Sequence, residues 1–340
     1  MNLQIKILLV AFGVALILGI IILPILRRLK VSQQERTEGP KSHLSKKGTP
    51  TMGGIISIIA ITLLSIGVML IYYMDDQADI VKRIIPLLFA TLGFGIVGFI
   101  DDFKKMVLKN TDGLKPTYKM LGLLVISVCF VLYLLNVLNI GTDIYIPIIK
   151  TFVNIPVWIY IPFAIIVMLA TTNAVNLTDG IDGLATSVTT IIVACLTVIG
   201  VIFDVKEIII FGTIVCGCNL AFLIFNLHPA KMFMGDTGSL MLGGVIAAMA
   251  LVLKMPLLLI VIALIPVLET LSVMIQVTYY KKTGKRIFKM TPIHHHFELS
   301  GWNENKVVRV FSVITLLMCI IGTVFSLITL ILCVVGLNII

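Results

Sequence analysis

The sequence predicts an all-α integral membrane protein of ten transmembrane helices, with both termini extracytoplasmic and its chemistry gathered on cytoplasmic loops. Three observations carry that prediction. Hydrophobic residues make up 59% of the 340 and charged residues only 13%, about half of the roughly 25% typical of a soluble domain. The apolar residues fall into ten runs of about the length, roughly 17 to 25 residues, that a helix needs to cross a bilayer. Lys and Arg collect in alternate connections between the runs, the pattern of the positive-inside rule.

Taken in order, the first run covers 3–26. It is too long for the apolar region of a cleaved signal peptide and lacks a small-residue cleavage site, so it reads as the first membrane helix. Runs at 51–73, 84–100, 118–135, 156–173, 184–203, 208–226, 238–253, 256–278 and 307–335 follow, the third and eighth being the shortest. An even number of crossings puts both termini on one side. Only six of the 26 Lys and Arg lie away from the loops that follow odd-numbered runs: Lys6, Lys82, Arg83, Lys150, Lys206 and Lys254. Those basic loops are therefore cytoplasmic, and they account for most of the +9 net charge without any nucleic-acid partner. On the other side, Ile144-Tyr-Ile-Pro-Ile-Ile149 has the β-branched character of a small hairpin outside the membrane. Cys129, Cys195, Cys216, Cys218, Cys319 and Cys333 all sit in apolar runs without metal-ligand spacing and read as packing residues. No internal repeat divides the chain, which reads as one polytopic domain over 1–340.

The polar stretch Asn173-Ala-Val-Asn-Leu-Thr-Asp-Gly-Ile-Asp-Gly-Leu-Ala185 interrupts two apolar runs with two carboxylates and no cation. Asn176, Asp179 and Asp182 are spaced by three, so in a helical turn they would share one side. Gly180 and Gly183 leave room for a ligand to approach the backbone. A carboxylate inside an apolar span costs roughly 2.5 to 3.5 kcal/mol, so the pair implies a partner: a metal ion, a cationic ligand, or Lys and Arg from other loops.

The remaining cytoplasmic loops supply such partners. The first, from Glu38 to Gly54, is basic and then rich in Gly, Pro and Thr. Lys46 and Thr51 in it suit a phosphate-bearing ligand at a helix start, although topology signalling alone also explains its lysines. Asp101 and Asp102 close the third run, where adjacent carboxylates stay ionised only beside compensating charge. Mg²⁺, which favours one or two carboxylates with waters and phosphate oxygens, is the economical partner; a helix end reaching water is the alternative. Asp236 sits in a Gly-Asp-Thr-Gly turn at the mouth of the eighth run, and Phe233 nearby suits either stacking on a flat ring or anchoring at the interface. His294, His295 and His296 follow a strongly basic segment. Consecutive side chains diverge, so donation to phosphate or carbonyl oxygens explains them better than a closed metal site. Glu269 and Gln276, seven apart in the ninth run, are expected to look into the bundle. Carboxylates, Mg²⁺ and cations at the lipid boundary are the parts of a phosphotransfer between a soluble phosphate compound and a lipid phosphate. A transporter or channel would place acids deep within several spans, and only Glu269 approaches that.

These loops resemble the polyprenyl-phosphate sugar-1-phosphate transferases, and most closely the phospho-N-acetylmuramoyl-pentapeptide transferase family. The resemblance rests on Gly48-Thr-Pro-Thr-Met-Gly-Gly54, Gly98-Phe-Ile-Asp-Asp-Phe103, Asn173 to Leu184, Met234-Gly-Asp-Thr-Gly-Ser239 and Pro292-Ile-His-His-His-Phe-Glu298, in that order along nearly the whole chain. It implies transfer of phospho-MurNAc-pentapeptide from UDP-MurNAc-pentapeptide to undecaprenyl phosphate at a bacterial plasma membrane, giving lipid I and UMP. It also implies Asp236 as an Mg²⁺ ligand, with Asp101 and Asp102 in the catalytic centre. Asn176, Asp179, Asp182 and Phe233 would hold the uridine nucleotide, and His294, His295 and His296 would meet phosphate or sugar. Lys46, Lys119 and Gln276 fall at substrate-contacting positions, and a homodimer is expected. Leu123 stands where the family pattern leads us to expect Gln. A GlcNAc-1-phosphate transferase is the rival within the same chemistry, and both direct attack by the lipid phosphate and a two-step route through an Asp phosphoryl intermediate use these residues.

Overall fold

The computed structural model describes residues 3–29, 48–106 and 113–334. Lys46 lies outside the described residues. Nine helices among them are long and apolar enough to cross a membrane: α1 (Leu3–Arg28), α2 (Gly54–Met74), α3 (Ala78–Met106), α4 (Pro116–Asn136), α5 (Val157–Thr178), α6 (Leu184–Ile202), α7 (Lys206–Asn226), α8 (Gly235–Val252) and α12 (Glu304–Val334). Between α8 and α12 come a 3-10 turn (Pro256–Leu258), short α9 (Leu259–Ile262), α10 (Leu264–Thr283) and short α11 (Ile293–Glu298).

The ninth crossing in chain order is bent. The run 256–278 predicts one straight helix, but the 256–262 and 264–283 pieces meet at 85°. Pro266 is the physical cause, because it offers no N–H to the carbonyl of Ile262 and its ring crowds the preceding turn. The freed Ile262 carbonyl accepts instead from the Cys319 thiol of α12, at 3.7 Å.

Helix α8 is the centre of the bundle, buried at every position from Thr237 to Val252. Lipid supplies no hydrophobic drive between helices, so close backbone approach at small residues has to hold them. A side chain at Gly98 of α3 would strike the Asp236 carbonyl, and one at Gly54 of α2 would strike the Gly238 backbone. Outer helices turn residues such as Ile17, Ile20, Leu63 and Leu317 outward. Leu123 is fully buried in α4.

The expected hairpin forms. Strands β1 (Asp143–Ile146) and β2 (Thr151–Asn154) pair antiparallel, Asp143 opposite Asn154 and Ile146 opposite Thr151. Tyr145, fully buried, fixes it to the bundle: its N–H donates to the Lys254 carbonyl (2.7 Å), and its hydroxyl accepts from Thr329 (2.8 Å). The polar loops meet at the opposite end.

Candidate active site

The site is assembled on the first turn of α8. The sequence suggests a Gly-Asp-Thr-Gly turn at the mouth of the eighth run, but the helix already begins at Gly235, whose φ of 73° and crowding against Thr51, Met52 and Asp102 leave no room for a side chain. A helix start leaves N–H donors unsatisfied. Here Asp102 supplies the acceptor from α3. Its Oδ1 accepts from the Asp236 N–H (3.2 Å), and its Oδ2 from the Thr237 N–H (2.8 Å) and hydroxyl (2.6 Å). Buried and committed to three donors, Asp102 is what sets the direction of its neighbour Asp236.

The adjacent Asp101 leaves the helix about 100° away and faces cations. Both Lys105 and Lys119 bridge it to Asp236: Lys105 lies 2.8 Å from Asp101 Oδ2 and 3.0 Å from Asp236 Oδ2, and Lys119 lies 3.3 and 2.8 Å from the same atoms. The other Asp101 oxygen accepts from the Leu114 N–H at 2.7 Å. Asn176 donates to Asp236 Oδ1 and to Ser239, each at 2.8 Å. The apolar run ends at 100, but α3 continues to Met106, which brings Lys105 one turn beyond Asp101. The Asp pair is therefore buried inside the bundle, and a helix end reaching water does not describe it.

The three-residue spacing of Asn176, Asp179 and Asp182 does not place them on one face. Helix α5 ends at Thr178, and the chain turns through Gly180 and Gly183, the latter at φ 76°. Asn176 and Asp179 stay with the centre. The Asp179 carboxyl accepts from the Gly235 N–H, and it is pushed up to about 8 by burial first and then by the Asp236 and Asp102 charges. Asp182 turns elsewhere: its Oδ2 meets His228 Nδ1 (2.9 Å) and the Ala230 N–H (3.1 Å), while its own N–H donates to Glu304 at 3.3 Å. It ties the α7–α8 loop to the start of α12. Ligand atoms of Asp182, His228 and Glu304 lie within 4.8 Å of one another, but they are already engaged in this tie.

Phe233 is half-buried, and its backbone is gripped by the 50–54 segment: its N–H donates to Pro50 (2.8 Å) and its carbonyl accepts from Gly53 (2.9 Å). Gln276 is buried, as expected, and its Oε1 accepts from the Ile287 and Phe288 N–H groups at 3.0 Å, so it fastens the segment leading to α11. The three histidines take different partners, but the divergence expected of consecutive side chains does not hold for His294 and His295, whose ring centroids lie 4.1 Å apart. His294 is buried on Glu269, His295 Nδ1 lies 2.8 Å from Glu298, and His296 accepts from the Lys289 N–H. Glu269, expected to look into the bundle, is buried there, whereas Lys105, Thr237 and Ser239 complete the site without having been singled out for it from the sequence. Lys105 was findable as the i+4 partner of Asp101; the others depend on contacts between distant segments.

Of the four carboxyl groups gathered here, Asp101 and Asp236 face two ammonium groups, while Asp102 and Asp179 accept from the backbone at the start of α8. The donors are all oxygen, and the facing Asp101 and Asp236 oxygens already converge on cations, which is the donor set that a hard divalent cation takes. The arrangement fits Mg²⁺ and phosphate-bearing ligands.

Comparison with known proteins places the chain in a family. Residues 84–254 match the model of glycosyl transferase family 4. The chain is 50% identical over 314 residues, 92% of each chain, to the phospho-N-acetylmuramoyl-pentapeptide-transferase of Acetivibrio thermocellus. It is 49% identical over 315 residues to that of Clostridium botulinum (strain Eklund 17B), covering 93% of this chain and 94% of the relative. With that of Clostridium novyi the identity is 46% over 322 residues, covering 95% and 96%. The chain belongs to the phospho-N-acetylmuramoyl-pentapeptide-transferase family. As a member with nine or more apolar crossings it is a multi-pass protein of a bacterial membrane. Within the glycosyl transferase family 4 match lie Asp101, Asp102, Lys105, Lys119, Asn176, Asp179 and Asp236.

Proposed function

We propose that this protein transfers phospho-MurNAc-pentapeptide from UDP-MurNAc-pentapeptide to undecaprenyl phosphate, giving lipid I and UMP. The family relationship favours this donor over UDP-GlcNAc. The observation within the molecule that carries it is the lysine-bridged pair of Asp101 and Asp236 at the polar end of the bundle. Basic loops assign that end to the cytoplasm, where the soluble donor is found, and its place at the lipid boundary lets the acceptor's phosphate enter while its tail stays among the helices.

In this reading an oxygen of undecaprenyl phosphate attacks the donor β-phosphorus. One P–O bond forms, the bond to the bridging oxygen breaks, and UMP leaves with that oxygen. Asp101, turned toward the cations rather than toward α8, orients the acceptor phosphate and takes its proton. Lys105 and Lys119 exchange their carboxylate contacts for phosphate oxygens. Asp102 holds Asp236 in place, and Asn176 fixes the orientation of its carboxylate. Asp236 would hold Mg²⁺, which when bound neutralises charge on phosphate oxygens. Asp179, Phe233 and the 50–54 segment border the uridine side, and His294 borders the donor's diphosphate. Homodimerisation, the family expectation, belongs to the proposal and is tested by mass measurement of the detergent-solubilised protein.

The decisive assay is UMP release by purified protein given undecaprenyl phosphate and either UDP-MurNAc-pentapeptide or UDP-GlcNAc, with Mg²⁺ or with EDTA. Release from the pentapeptide donor alone, abolished by EDTA, is expected. Release only from UDP-GlcNAc overturns the donor assignment. A phosphosugar–protein adduct that accumulates when the lipid acceptor is withheld overturns direct attack.

A further inference from the structure

Glu269 is fully buried in α10, just past the Pro266 break, and the transfer steps above leave it without a role. A carboxylate in the interior of a membrane bundle persists only with partners, and here both oxygens serve one residue. Oε1 lies 3.1 Å from His294 Nδ1, and Oε2 accepts from the His294 backbone N–H at 3.4 Å. The other ring nitrogen, Nε2, is buried without a partner. It is pressed against Gly180, where a side chain would collide with the imidazole. A bare, buried ring nitrogen is costly unless a ligand completes it. This one faces the turn that follows Asp179.

We propose that Glu269 is the positioning residue of His294. An ionised carboxylate only accepts, so it fixes the ring proton on Nδ1 and leaves Nε2 as the one position that can gain or lose a proton. Protonated there, the ring becomes a cationic donor to an anionic diphosphate oxygen, with Glu269 balancing its charge. No substrate bond is made or broken by the pair. The assignment rests on the reading that the donor's diphosphate lies beside His294.

The test uses the full-length protein in detergent with ¹⁵N-labelled histidine, the His294 signals being identified by their loss in His294→Gln. A proton on Nδ1 is expected; a bare Nδ1 overturns the proposal. Glu269→Gln then separates positioning from packing. Glutamine has the same shape but one acceptor and one donor, so it cannot accept from both His294 groups. The variant is expected to keep its melting temperature, move the ring proton to Nε2, and lose at least tenfold in kcat for UMP release with KM for undecaprenyl phosphate unchanged. Wild-type kcat in the folded variant overturns the proposal. If Glu269→Gln does not fold, the wild-type nitrogen spectrum alone decides. If wild-type protein releases no UMP from UDP-MurNAc-pentapeptide, the transferase reading fails, while the spectrum still reads the Glu269–His294 pair.

Discussion

Both ends of the bundle carry an aspartate bonded to a lysine from a distant segment, yet the two pairs are built differently. At the hairpin end, Asp143 meets Lys254 at 2.9 Å and the Asn154 amide at 2.9 Å, with Asp143 37% and Lys254 30% exposed. One carboxylate, one ammonium and one amide satisfy each other, and water reaches all of them. At the polar end, Asp101 and Asp236 share Lys105 and Lys119, Asp101 is only 3% exposed, and the carboxyl groups of Asp102 and Asp179 crowd the same space. Burying carboxylates that outnumber their cations is unfavourable. A chain that keeps such a cluster has a use for the charge, whereas the hairpin pair needs no explanation beyond fastening two strands to α8.

The largest effect separating the ends is expected from Asp236→Asn. It removes the charge that Lys105 and Lys119 address and that the proposed Mg²⁺ would need, and UMP release should fall by about 10³-fold or more while the protein stays folded. Asp102→Asn should come next and act differently. Asparagine presents an amide donor to the N–H groups and hydroxyl that Asp102 now accepts, so buried donors lose partners at about 1–3 kcal/mol. The rate and the melting temperature should drop together; a lost rate with an unchanged melting temperature would make Asp102 a reacting group instead of the support of Asp236. Lys105→Gln should cost less, roughly 10- to 100-fold in rate, because Lys119 still bridges the pair. A wild-type rate in that variant would reduce Lys105 to a topology signal and weaken the contrast between the ends.

Much of this was legible in the sequence. Apolar run length and the placement of Lys and Arg are local properties, so the crossings, the polar end and the hairpin could be read directly. The acidic motifs were legible too, because carboxylates at the ends of apolar runs stand out against their surroundings. What escaped depends on where helices stop and whom they meet. The shared face expected of Asn176, Asp179 and Asp182 fails because α5 ends at Thr178. The division of labour between Asp101 and Asp102 is set by α8, 134 residues further on, and no local pattern encodes it. The 85° bend lies just before Pro266, a helix-breaking residue inside an apolar run whose length alone reads as one crossing.

The smallest effect belongs to the hairpin end and runs through pH. Asp143 is held below the usual carboxylate range, first by the Asn154 amide and then by Lys254. A depressed folded value means that its contribution is fully present above the unfolded value of about 3.9 and is lost as pH falls through the folded one. With 37% of the side chain exposed, solvent screening limits the pair to about 1 kcal/mol or less. Asp143→Asn should therefore lower the melting temperature slightly at pH 7, and the difference from wild type should vanish as the pH is taken below that of the folded carboxyl. UMP release at pH 7 should not change, since no transfer residue touches the hairpin. A rate loss with an unaltered melting temperature would mean that the two ends communicate, and the contrast drawn between a fastening and a working site would not hold.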